Sequence, residues 1–83
     1  MDPSECEIVV RRLATAEEAV ARARNHTARQ REIVARLEAA GHDPSIARQL
    51  LASFEATQAN HERHLARLVD ELTQRGWRLA KPG

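Results

Sequence analysis

The sequence predicts an all-α fold: an antiparallel two-helix hairpin packed like a coiled coil and dimerising into a four-helix bundle. Two apolar repeats carry that reading, separated by a single break at Gly41-His42-Asp43-Pro44-Ser45. The first repeat places Cys6, Val9, Leu13, Ala16, Val20, Ala23, Thr27, Gln30, Val34 and Leu37 in alternating steps of three and four. The second places Ala47, Leu51, Phe54, Gln58, His61, Leu65, Leu68 and Leu72 at the same spacing. Such steps keep a stripe of residues on one side of a 3.6-residue helix, which is the seam of one helix lying along another.

Each element has its own start and stop. Asp2-Pro3-Ser4 and Asp43-Pro44-Ser45 both set an N-cap acceptor ahead of a proline at the first helical position. Glu5, three residues after Asp2, adds a capping-box pattern at the first start. Gly41 supplies the left-handed residue that ends the first helix, and Gly76 does the same for the second. Trp77 then falls where such a cap packs against Leu72. The expected boundaries are one helical-hairpin domain over 1–83, with helices at 3–40 and 44–75, a turn at 41–43 and a tail at 76–83.

Folding the chain at the turn sets Leu37 against Leu51, Val34 against Phe54, Gln30 against Gln58 and Thr27 against His61. Ala23, Val20 and Ala16 then meet Leu65, Leu68 and Leu72, so small residues of the first helix face large ones of the second. The flanks of this seam differ. On one, Arg24–Glu62, Arg31–Glu55 and Glu38–Arg48 pair opposite charges. The other carries Ala19, His26, Ile33 and Ala40 with Leu50, Thr57 and His64, an apolar or weakly polar stripe. An apolar stripe wider than the seam calls for a further helix, so these seven residues are the expected interface. Ile8, Val9 and Val10 overrun the second helix, and Ile8 and Val10 are assigned to the same interface, under the tail or another chain.

Composition narrows the function classes. With 83 residues there is room for one small domain, and two helices make a thin core, which also points to a second copy or a helical partner. A formal net charge of +1 gives no general attraction to polyanions. A single cysteine, Cys6, excludes an intramolecular disulfide, and its place on the seam reads as a small buried hydrophobe. The first residues lack a basic segment followed by an apolar run, and no stretch is apolar enough to span a bilayer. A cytoplasmic location is therefore expected.

Three side-chain sets deserve a chemical reading. Thr27, Gln30, Gln58 and His61 form a polar layer that would hydrogen-bond within the seam and fix its register. His26, His61 and His64 are alternatively candidate metal ligands, or a pH-sensitive set at the interface. Glu62 points to the other flank, and no Glu-x-x-His pair is present, so no metal or other cofactor is assigned. Arg22, Arg29 and Arg36 recur every seventh residue on the outer face and offer a nucleic-acid reading. Against it, Glu18 and Glu32 sit four residues before Arg22 and Arg36, and aromatics for base stacking are nearly absent. No glycine-rich phosphate loop, nucleophile elbow or facing carboxylate pair occurs, so the chain reads as a non-enzyme without a small-molecule substrate.

The run from Arg29-Gln30 through Ile33-Val34, Leu37-Glu38-Ala39, Gly41-His42-Asp43, Leu50-Leu51, Phe54-Glu55, Thr57-Gln58, His61, His64, Arg67-Leu68 and Glu71-Leu72 resembles a group of short, uncharacterised bacterial α-hairpin proteins. The resemblance covers roughly residues 26–72 and implies the hairpin; it brings no activity and no catalytic residues. The expected function is accordingly a small helical interaction or homo-oligomerisation module, with a nucleic-acid accessory role as the alternative and a histidine-based metal or pH sensor as the third.

Overall fold

A computed structural model describes residues 3–76 and shows two antiparallel helices packed along each other. Helix α1 runs Pro3–Ala39 and α2 runs Ser45–Gln74. Among the described residues there is no strand. The molecule measures 59 × 24 × 19 Å, its long edge set by the 37 residues of α1. No helix among the described residues is long and apolar enough to cross a membrane.

The reversal between the helices is built from backbone hydrogen bonds. His42 N–H donates to the Leu37 carbonyl at 2.9 Å and Gly41 N–H to the Glu38 carbonyl at 3.1 Å. That pair of bonds is a Schellman motif, which requires a left-handed residue at Gly41, and Gly41 has φ of 74°. Helix α1 therefore stops at Ala39, one residue before the expected end. Helix α2 starts one residue late as well. Pro44 stands at the N-cap itself, with φ −90° and ψ 8°, and Arg48 N–H donates to its carbonyl at 2.8 Å. Asp43 still acts as the acceptor, one position further out. Its Oδ1 takes the Ser45 amide at 3.0 Å and the Ser45 hydroxyl at 2.6 Å. At the far end, Gly76 has φ of 88° and donates to the Thr73 carbonyl at 3.0 Å. The Asp2 cap, the contact of Trp77 with Leu72 and the tail lie outside the described residues.

Every residue of the two apolar repeats is buried or half-buried. On α1 the stripe Ala16, Val20, Ala23, Thr27, Gln30 and Val34 is buried; on α2 Leu68 and Leu72 are buried, and the rest of the stripe is half-exposed. The asymmetry follows from size. Small side chains on α1 let α2 come close and are covered by it, while the larger α2 side chains straddle the seam and keep their edges in solvent. Ala16, Leu68 and Leu72 form the buried cluster, with Val9, Leu13 and Leu65 packed against it. Val9 is thus covered by α2, whose last turn extends the seam one layer beyond the expected overlap. Ile8 and Val10 remain exposed.

The charge-paired flank forms as a set of three cross-helix ion pairs. Arg24 Nε lies 3.1 Å from Glu62 Oε1, Arg31 Nη2 3.2 Å from Glu55 Oε2, and Arg48 Nη2 3.0 Å from Glu38 Oε2. All six side chains are well hydrated, so each pair contributes about 0–1 kcal/mol and mainly opposes sliding of one helix along the other. Reversing one member, as in Arg31→Glu, is expected to lower stability by about 0.5–1 kcal/mol in urea unfolding, and adding Glu55→Arg to restore most of it. An unchanged loss in the double variant would show that the pair carries no register information.

Acid should weaken the hairpin through two carboxylates, Asp43 at the turn and Glu62 on the charge-paired flank. Hydrogen bonds from the Ser45 hydroxyl and amide, then the nearby Arg48 charge, hold Asp43 below the ordinary aspartate range. Glu62 is held below the glutamate range by Gln58 first and Arg24 second. A lowered folded-state pKa means that the unfolded chain binds protons first. The contribution is therefore complete above the ordinary carboxylate values and is lost as pH falls through the lowered ones. In thermal melts across that range, Asp43→Asn should retain the turn but melt with a shallower dependence on acid than the parent chain.

Candidate interaction face

The open flank has the character that an interface needs. Ile33 on α1 is 44% exposed and Leu50 on α2 is 47% exposed, both on the side without ion pairs. Ala40, His26, Thr57 and His64 are exposed on the same side, and Ala19 is half-buried. Ile46, at 82% exposure, lies one helical turn from Leu50 and extends this apolar surface towards the turn. The sequence reading passed over Ile46 because it sits outside the seam and its flanking positions. Its signal was a lone isoleucine in the first turn of a helix with no apolar neighbour four residues before it.

One correction concerns the remaining interface residues. Val10 falls in steps of seven with Glu17, Arg24 and Arg31, so it belongs to the charge-paired flank beyond its last ion pair and not to the face of Ile33. Val69, 37% exposed, is on that same flank of α2. Ile8 does lie towards the open side, one heptad before Thr15, which lines the groove described next.

Between α1 and α2 the open flank is indented. Arg11, Arg12, Thr15, Ala16 and Ala19 on one side and His61, His64 and Leu68 on the other enclose an open groove of about 400 Å³. Its cause is local: Ala16 and Ala19 leave a hollow in α1 that the two imidazoles do not fill. The floor is apolar and the rim carries arginine and histidine.

The polar seam residues occupy the interface between the helices but not as a mutual network. Thr27 is fully buried, and its hydroxyl donates to the Ala23 carbonyl one turn back at 2.9 Å. Gln30 is 5% exposed and its Nε2 crosses the seam to the Ala47 carbonyl at 2.9 Å. Gln58 Nε2 donates to Glu62 Oε1 within its own helix at 3.0 Å. Each group is satisfied locally, and no buried side-chain nitrogen or oxygen among the described residues lacks a partner. Of these three seam bonds, that of Gln30 alone ties one helix to the other.

The histidines divide. His61 is half-buried beside His64 at the groove, whereas His26 stacks at a tilt on Phe54, with ring centroids 5.8 Å apart and planes at 47°. Among the described residues no three His, Cys, Asp or Glu side chains gather into a group that could hold a metal ion. Cys6 is a half-buried free thiol. Of the outer arginines, Arg22 lies 3.9 Å from Glu18 and Arg36 4.0 Å from Glu32, each within its own helix face, and Arg29 is exposed. Paired in this way, the stripe is close to neutral along its length. Compared with protein-family models, curated proteins and solved structures, the chain matches none of them.

The different bonding of Thr27 and Gln30 has a measurable consequence. Gln30→Ala removes the cross-helix bond and should cost about 1 kcal/mol in unfolding free energy, plus a packing loss. Thr27→Val keeps the shape and removes a bond internal to α1, so it should change stability by less than about 1 kcal/mol. Equal large losses in chemical denaturation would instead indicate a shared network.

Proposed function

We propose that this protein is a helical interaction module that self-associates, two hairpins stacking on their open flanks into a four-helix bundle. The observation that carries the reading is the unequal sealing of the seam. One flank is closed by three cross-helix ion pairs, while the other exposes Ile33, Ile46 and Leu50 towards the turn and is indented by a groove towards the free ends. Apolar side chains held in line on two rigid helices are best satisfied by a matching helical surface.

The energetics support the same reading. The buried hydrophobic residues among those described are Ala16, Val20, Ala23, Val34, Leu68 and Leu72, a small core for helices of 37 and 30 residues. Small chains of this kind gain stability from association. In this reading the molecule works by binding and carries no catalytic chemistry. The groove is open to solvent, and no carboxylate lines it to move a proton.

Light scattering coupled to size-exclusion chromatography should give twice the chain mass. Ile33→Glu, which sets a charge in the centre of the apolar stripe, should return the mass to that of one chain and lower the melting temperature. A parent chain that stays monomeric at high concentration would overturn the proposal.

A further inference from the structure

The open flank holds both a projection and a hollow, and their positions are related. Along α1 this flank reads Arg12, Ala19, His26, Ile33 and Ala40, one residue per heptad. Ala19 belongs to the groove and Ile33 to the exposed apolar surface, and each lies seven residues from His26, ~10.5 Å along the helix. On α2 the ion pairs Arg24–Glu62 and Arg31–Glu55 set the level of His26 at Asn60, and the His26 ring leans towards Phe54. Reflected through that level, Leu50 lands at Asp70, just past Leu68 at the edge of the groove.

We infer that the occupant of the groove is a second copy of this chain, running antiparallel, with the two-fold axis at His26 and the turns at opposite ends of the bundle. The inference rests on the self-association proposed above and adds its geometry. Helix α1 lies on α1 of the second copy and α2 on α2. Ile33 of each chain enters the hollow beside Ala19 of the other, and Leu50 borders its rim on the α2 side. The surface is self-complementary, as a two-fold interface requires.

Shape and charge both select this orientation over the one with both turns at the same end. With both turns together, the two hollows would face each other and enclose a void, losing packing on both walls. The same stacking would bring Arg11 and Arg12 of both copies to one end of the bundle. Running antiparallel, the copies separate these groups to the two ends. Arg12 then meets the Ala40 end of the neighbouring α1, the negative pole of that helix.

Disulfide trapping in full-length protein tests the orientation separately from the association. In a Cys6→Ser background, Ala19→Cys, Ile33→Cys and Thr57→Cys are each prepared alone, then mixed pairwise and oxidised under native conditions. The expected result is a covalent dimer in the Ala19→Cys with Ile33→Cys mixture, many-fold above either variant alone, with light scattering reporting a dimer throughout. A dimer in which Ile33→Cys joins Thr57→Cys, and not Ala19→Cys, would overturn the antiparallel arrangement and leave self-association standing. A dimer with no trapped pair would also overturn it. Monomeric chains under the same conditions would overturn both.

Discussion

The register of α2 against α1 is the constraint on which the rest of the molecule depends. It is set at the reversal, where two backbone bonds from Gly41 and His42 close α1 and the Asp43 carboxylate opens α2. From there the seam advances by threes and fours on both helices, so a slip of one residue would turn every stripe residue out of the interface. The three cross-helix ion pairs sit a heptad apart and form only in this one alignment. None of them adds much stability. Their effect is to raise the energy of the neighbouring alignments, and that is what gives a seam of small, interchangeable apolar residues a single solution.

The same seam explains why the two flanks differ. Because α1 presents Ala16, Ala23 and Thr27, α2 approaches closely and its larger side chains reach past the contact line. On one side the overhang is bordered by charges. On the other, Leu50 and Ile33 continue the overhang outward, and the alanines at 16 and 19 leave it indented. Knob and hollow therefore follow from the order of side-chain sizes along this flank of α1, alanine at 19 and isoleucine at 33. A core this thin leaves little margin for leaving such a flank wet.

Much of this was legible in the sequence because it depends on period alone. The stripe residues, the flanks and the three ion pairs follow from counting in threes, fours and sevens from a turn marked by glycine and proline. What was not legible depends on reach. Gln30 bonds the Ala47 carbonyl and not its expected neighbour Gln58, an acceptor on the backbone that a pattern of side chains does not reveal. Thr27 turns its hydroxyl back onto Ala23, an acceptor always present in a helix, and so needs nothing from His61. Val9 is covered because the overlap at the far end depends on how side chains lean, which a pairing by residue number ignores. Val10 was put on the wrong face by grouping it with its neighbours rather than with its heptad. The groove, finally, is a property of volumes in three dimensions, and the sequence shows only that its floor is alanine.

The polar residues at mid-seam then acquire a definite meaning. An all-leucine seam would be stronger, yet it would hold any alignment and any number of helices about equally well. Thr27 and Gln30 give up apolar contact at the centre of α1, and of the two only Gln30 returns a bond between the helices. That bond ends on a backbone carbonyl of α2 near the turn, so it pins the end of the hairpin where the reversal already fixes the register. The other end is held by apolar packing of Leu68 and Leu72 on Ala16. Specificity is thus concentrated towards the turn and hydrophobic adhesion towards the free ends. The open flank reverses that order, with its projecting apolar residues at the turn and its basic, indented surface at the free ends. Two such surfaces satisfy each other when one is inverted, and the order of residues along a single helix already contains that inversion.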